Sequence, residues 1–136
     1  MPSLYYELDA EEELDALWES DEDTAALIEE LLWQFEENPA LLDELCKEKR
    51  HVTHAPSFEV KRFQHMWQKG YTVYTLKIWP KEGSAIAYRV LYAHHPQKDA
   101  YYVLTVMQRD LDYDADKALI DRIIAACETI GIPCYR

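Results

Sequence analysis

The sequence predicts an α+β fold, an N-terminal helical hairpin packed on a twisted antiparallel sheet of about four strands, with a C-terminal helix. Three observations carry this. Apolar residues recur at helical spacing through the first 46 residues, three consecutive runs in 71–109 are rich in β-branched and aromatic side chains, and helical spacing returns at 114–130. The chain reads as one domain over 1–136, comprising an acidic helical hairpin (9–46), a three-strand meander (71–109) and a final helix (114–130). With 136 residues it is long enough to bury a core without staples.

Taken in order, Ser3–Leu8 has strand composition and suits an added edge strand. Asp9, with Glu12 three residues on, forms a capping-box pattern, and Leu14, Leu17 and Trp18 give the first helix a narrow apolar stripe to about Glu19. Ser20 or Asp23 starts a second helix, whose core face is Leu27, Ile28, Leu31, Leu32 and Phe35 and whose stop signal is Asn38-Pro39. Pro39 suits the first position of a last helical piece through Cys46.

From Lys47 to Lys69 no period dominates. Phe58–Trp67 fits a strand or a further helix, and a long connection without regular structure is often functional. The meander follows as Tyr71–Trp79, Ala85–Ala93 and Tyr101–Arg109, joined by the turn-rich Pro80–Ser84 and His94–Asp99. Asp112 or Asp114 caps the last helix, which buries Leu119, Ile120, Ile123, Ile124 and Cys127 and ends at Gly131 and Pro133.

Charge is unevenly placed. The net charge is −12, yet residues 1–50 hold 17 acidic and 3 basic residues, net −14, and residues 51–136 hold 9 acidic and 11 basic, net +2, with all five histidines. The acidic residues solvate the outer faces of the hairpin, keep nucleic acid off every surface but the sheet, or recruit a basic partner. No apolar run reaches the roughly 20 residues of a membrane span, and no basic segment followed by an apolar stretch opens the chain. A soluble, cytoplasmic protein with no membrane partner is expected. Cys46, Cys127 and Cys134 fit three reduced thiols better than a disulfide framework.

Within the apolar strands a few cations stand out, namely Lys77, Arg89 and Arg109. Lys61, Arg62, His65, Trp67 and Lys69 mix positive charge with aromatics, a composition suited to phosphates and bases. The segments Val73–Trp79, Ala87-Tyr-Arg-Val-Leu-Tyr92 and Leu104–Arg109, with Tyr113 after them, resemble the core of the RelE/ParE superfamily of toxins from type II toxin–antitoxin systems, including its HigB-like branch. The resemblance covers about residues 1–127 in element order and 71–122 in motif detail.

The resemblance implies a microbial-RNase-like fold with its ligand on the sheet face opposite the hairpin. It also implies a ribosome-dependent mRNA endoribonuclease that inhibits translation, restrained by a cognate antitoxin. ParE-like members inhibit DNA gyrase instead and cut no RNA. By position, Lys77, Arg89, Arg109 and Tyr113 match the catalytic lysine, the arginines of the last two strands and a catalytic tyrosine.

Independently of the family, cleaving RNA through its own 2′-hydroxyl requires a base, positive charge on the forming phosphorane and an acid for the 5′-oxygen. Arginine forks spread over the phosphate oxygens without any metal or other cofactor. Arg89 and Arg109 then hold the phosphate, Lys77 assists as charge or proton donor, and Tyr113 positions the nucleotide. His65, His94 or His95 has the right intrinsic pKa for the base. A metal site at His94-His95 is disfavoured, because adjacent residues point apart and no third ligand follows.

Each of these residues also has a plain structural reading. Arg89 is then the exposed member of a half-buried strand, Arg109 pairs with Asp110, Tyr113 belongs to the core and Lys77 is solvated. Two features depart from the nuclease pattern: the chain is acidic, and Thr75 stands where some of those nucleases carry a second lysine. They leave two alternatives, a gyrase-directed toxin and a catalytically degenerate module that binds a basic partner through the hairpin. A small-molecule ligand is not expected.

Overall fold

A computed structural model of the chain describes residues 2–108 and 116–135. The described strands are β1 (Ser3–Tyr6), β2 (Lys49–Val52), β3 (Ser57–Arg62), β4 (Val73–Trp79), β5 (Tyr88–His95) and β6 (Ala100–Gln108). They form one mixed sheet in the order β1-β6-β5-β4-β3-β2. The helices are α1 (Leu8–Ser20), α2 (Glu22–Glu37), α3 (Pro39–Leu42), which runs into a 3-10 turn at Asp43–Cys46, α4 (Gln64–Gln68) and α5 (Lys117–Ile130).

The α+β class and the antiparallel meander of β4, β5 and β6 are observed, and β1 joins the sheet parallel to β6. The sheet has six strands rather than four. The added pair, β2 and β3, comes from the segment without a dominant period. β3 does alternate, with Phe58 and Val60 buried between half-buried Ser57 and Glu59, but it runs directly into α4 and its period is cut short. β2 lies at the sheet edge in irregular register with β3, so one-sided burial imposes no alternation on it.

Helix starts also differ from the expected caps. Glu7 holds the N-cap of α1 with no side-chain bond, since its N–H donates to the Val103 carbonyl (2.9 Å) and carries the chain from β1 straight into the helix. The Asp9–Glu12 capping box is therefore not used. Asp21, between the two residues expected, caps α2 by accepting from the N–H (3.3 Å) and hydroxyl (2.7 Å) of Thr24. Asp116 caps α5 by accepting from the Leu119 N–H (3.0 Å), so this helix begins at Lys117; Asp112 and Asp114 lie outside the described residues. Gly131 closes α5 in the left-handed region (φ 89°), where a side chain would be strained. His94 and His95 belong to β5, and the turn is confined to residues 96–99.

Apolar clusters lie on both sheet faces. On one, Leu14 and Leu17 of α1 and Ile28, Leu31, Leu32 and Phe35 of α2 pack over Phe58, Leu76, Ile78, Val90, Tyr92 and Tyr101. On the other, Leu119, Ile120, Ile123 and Cys127 of α5 cover Leu91, Ala93, Leu104 and Met107. Polar bonds fix the layers. The Tyr92 hydroxyl donates to the Leu45 carbonyl (2.6 Å) and the Tyr74 hydroxyl to the Cys46 carbonyl (2.9 Å), tying the sheet to the end of the hairpin.

At the opposite edge, β1 ends opposite Val103, and Glu13 of α1 takes over from it. Its carboxylate accepts from the Thr105 hydroxyl (2.7 and 2.9 Å) and from the Val106 N–H (3.2 Å) of β6. Arg122 of α5 donates to Thr105 (3.0 Å) and to Asp9 (3.1 Å), so one polar clasp joins both helical layers to the strand between them.

Tyr92→Phe leaves the Leu45 carbonyl without its donor while keeping the ring. We expect a loss of about 1–3 kcal/mol, measured as a lower denaturant midpoint at unchanged m-value.

Candidate nucleic-acid interface

Alternation along three neighbouring strands sends one set of side chains to the α5 side of the sheet. On β3 these are Glu59 and Lys61, which lie opposite Lys77 and Thr75 of β4. Thr75 in turn faces Leu91 of β5, and the β4–β5 pairing ends at Leu76 and Val90, the residues adjoining Lys77 and Arg89. Helix α5 packs over β5, β6 and the start of β4, and none of these polar residues is in its apolar cluster. Glu59, Lys61, Thr75, Lys77 and Arg89 thereby line a hollow of about 120 Å³. A second hollow of about 350 Å³, lined by Glu48, Lys49, Arg50, Glu59, Val60 and Lys61, shares Glu59 and Lys61 with the first. A polar strip thus runs from β5 across the sheet to its β2 edge.

Among the described residues, the first hollow holds Lys61, Lys77 and Arg89 against the carboxylate of Glu59. Exposed Lys61 approaches the half-buried Glu59 at 3.7 Å. Arg89 donates through Nη1 to the carbonyls of Ile86 and Tyr88 (both 3.2 Å), which orients its guanidinium at the start of β5. Thr75, which also lines the hollow, is buried. Beside them, Trp79 carries the Lys77 ammonium 4.9 Å from its ring centroid and the His51 ring stacked at 4.3 Å with an interplanar angle of 21°.

Of the residues expected from sequence, Lys77, Arg89 and Lys61 are brought together. Arg109 and Tyr113 lie outside the described residues. Arg62 pairs across strands with Tyr74, which puts it on the hairpin side, where its guanidinium sits 4.4 Å over Trp67. Trp67 in turn donates from its indole N–H to the Val73 carbonyl (2.9 Å) and packs edge-on against Tyr74, as an anchor for α4. His65 lies on α4 and Lys69 just after it, so neither faces the hollow.

The three candidate bases are also placed elsewhere. His94 and His95 stand five and six residues beyond Arg89 on the same strand, roughly 16–20 Å away at strand rise. His94 stacks on Tyr101 at 4.5 Å, and burial lowers its pKa, so it is held neutral. Burial keeps nearby tyrosines protonated. The Tyr74 hydroxyl is pushed up to about 12, and that of Tyr92 is raised well above its ordinary value.

Two groups at the strip were not singled out in sequence, Glu59 and the His51–Trp79 pair. Their signal is the period of two, which links Glu59 to Lys61 and Trp79 to Lys77 once residues 57–62 are known to be a strand. Among the described residues, no group of three or more metal-ligating side chains is found, and no helix is long and apolar enough to cross a membrane.

The acidic hairpin presents a different surface. Glu11, Asp15, Glu29 and Glu36 wall a hollow of about 380 Å³ with Tyr6, Leu14 and Trp33, and Trp33 is 56 % exposed. Burial and the carboxylates of Glu36, Glu29 and Glu11 raise the pKa of Tyr6. No family model, curated protein or solved structure matches the chain.

The tyrosine shifts give a pH dependence. Folding holds the proton on Tyr74, so its contribution is complete below pH 10, the ordinary tyrosine value, and is lost as pH rises towards 12. Denaturant midpoints from pH 8 to 12 should therefore fall above pH 10, and fall less steeply in Tyr74→Phe; parallel curves would contradict the assignment.

Proposed function

We propose that this chain is a RelE/ParE-type toxin that cleaves RNA without a metal, using the polar strip of the sheet as its RNA site. The observation that supports it most is the convergence of Lys61, Lys77 and Arg89, from three adjacent strands, on one hollow. A phosphate there meets positive charge from three directions. Arg89, already oriented by two backbone carbonyls, offers planar recognition of the phosphate oxygens, and Lys77 adds charge as the phosphorane forms. Arg109 and Tyr113 complete the set by family resemblance. The target is mRNA in the cytoplasmic ribosome, and the antitoxin silences the protein by laying a segment over the strip.

The test is induction in bacteria without antitoxin, with mapping of mRNA 5′ ends. New ends inside translated frames are expected, together with growth arrest. Arg89→Ala and Lys77→Ala should each cut the frequency of new ends by about 10²–10³-fold while the fold is retained. Undiminished cleavage by the folded double variant would sink the proposal, and arrest without new ends would point to gyrase.

A second reading rests on the hairpin hollow, where an exposed indole is ringed by carboxylates that no basic side chain among the described residues pairs with. Such a surface suits a lysine- or arginine-bearing segment of a protein partner. Trp33→Ala and the Glu29→Gln/Glu36→Gln pair should each weaken capture of that partner several-fold and leave RNA cleavage unchanged. Pull-down from cells with each variant measures the first, and 5′-end mapping the second.

A further inference from the structure

The polar strip carries an aromatic stack that the cleavage reading does not use. His51 lies on the edge strand β2 and Trp79 at the end of β4, and the two rings are parallel and in contact (4.3 Å, 21°). Trp79 is held at its place in two ways. Its backbone pairs with Ser57 of β3, and the Lys77 ammonium sits 4.9 Å from its centroid. His51, in contrast, is exposed, and its stacking on Trp79 is the ring contact that orders it. A planar ring fixed on one face and open to solvent on the other is an unfinished stack.

The stack adjoins the cations directly. Lys77 both contacts the Trp79 ring and lines the hollow with Lys61 and Arg89. Lys49 and Arg50 precede His51 and line the neighbouring hollow with Glu48, Glu59 and Lys61; Lys49 pairs with Glu44 (2.6 Å), and Arg50 adds positive charge next to His51. Cations that follow a backbone, beside an aromatic face that takes a base, are the two components of single-strand recognition. A duplex keeps its bases stacked on one another and offers no free face to such a ring.

We infer that His51, supported by Trp79, is a nucleobase-stacking platform, and that the strip therefore takes single-stranded rather than duplex nucleic acid. This rests on the RNA-site reading above and adds to it the strandedness of the ligand and a residue that reads bases. His51 acts here through its ring face, so a phenyl ring replaces it and a methyl group does not.

The probe is a fluorescently labelled single-stranded oligoribonucleotide, measured by polarisation at fixed salt against an abasic strand of equal length and against its duplex. His51→Ala should weaken binding of the single strand by about five- to a hundred-fold, and His51→Phe should restore most of the loss. Binding of the abasic strand and the duplex should be weak and insensitive to His51. Equal single-strand affinity in wild type and His51→Ala overturns the inference, as does failure of His51→Phe to rescue. Absence of any binding to the free oligonucleotide also overturns it, and leaves ribosome-dependent cleavage to be decided by 5′-end mapping. Because His51 is exposed, unchanged thermal melting of both variants separates lost stacking from lost folding.

Discussion

Coverage of the sheet is the constraint from which the rest follows. Six strands spaced about 4.8 Å apart present a surface roughly 24 Å wide, whereas one helix with its side chains covers about 10 Å. Two long helices, α1 and α2, suffice for the hairpin side, where Phe58 and Val60 of β3, Leu76 and Ile78 of β4 and Val90 and Tyr92 of β5 are buried beneath them. On the other side, among the described residues, α5 packs over β5, β6 and the start of β4, with Met66 of the short α4 in the same cluster. Among the described residues, the remainder of that face carries Glu59, Lys61, Thr75, Lys77 and Arg89 in place of leucines and valines.

That geometry reconciles an acidic chain with a cationic surface. The carboxylates lie on the outer side of the hairpin, and the strip lies on the far side of the sheet. A helix layer and a sheet separate them by roughly 20 Å, whereas the Debye length at physiological ionic strength is about 8 Å. A phosphate at the strip therefore responds mainly to the charges that line it. The formal −12 of the chain describes its behaviour in solution more than the potential at this face.

Polar bonds decide how firmly the layers hold register. Where β1 stops, the edge of β6 would expose unpaired backbone, and the Glu13 carboxylate takes the Val106 N–H in place of a strand. The same carboxylate engages Thr105, which Arg122 of α5 also reaches, so the helices on opposite faces are coupled through one hydroxyl. At the other end of the hairpin, Tyr74 and Tyr92 satisfy the last carbonyls before β2. Both anchor the hairpin to the strands that carry Lys77 and Arg89.

What the sequence by itself determined was everything governed by near neighbours. The meander follows from branched and aromatic runs, the hairpin from Ile28, Leu31, Leu32 and Phe35 at helical spacing, and the end of α5 from Gly131, because strand and helix periods act over a few residues. That Lys77 and Arg89 interrupt apolar strands was legible in the same way, whereas their meeting at one hollow depends on the β4–β5 register. Tertiary structure alone decided the rest. The β2–β3 hairpin is held by pairing with β4, not by its own pattern. The opposite faces taken by Lys61 and Arg62 depend on that pairing, and the meeting of His51 with Trp79 joins residues 28 positions apart in sequence. Contacts across such separations are set by strand order and register, which no local period encodes.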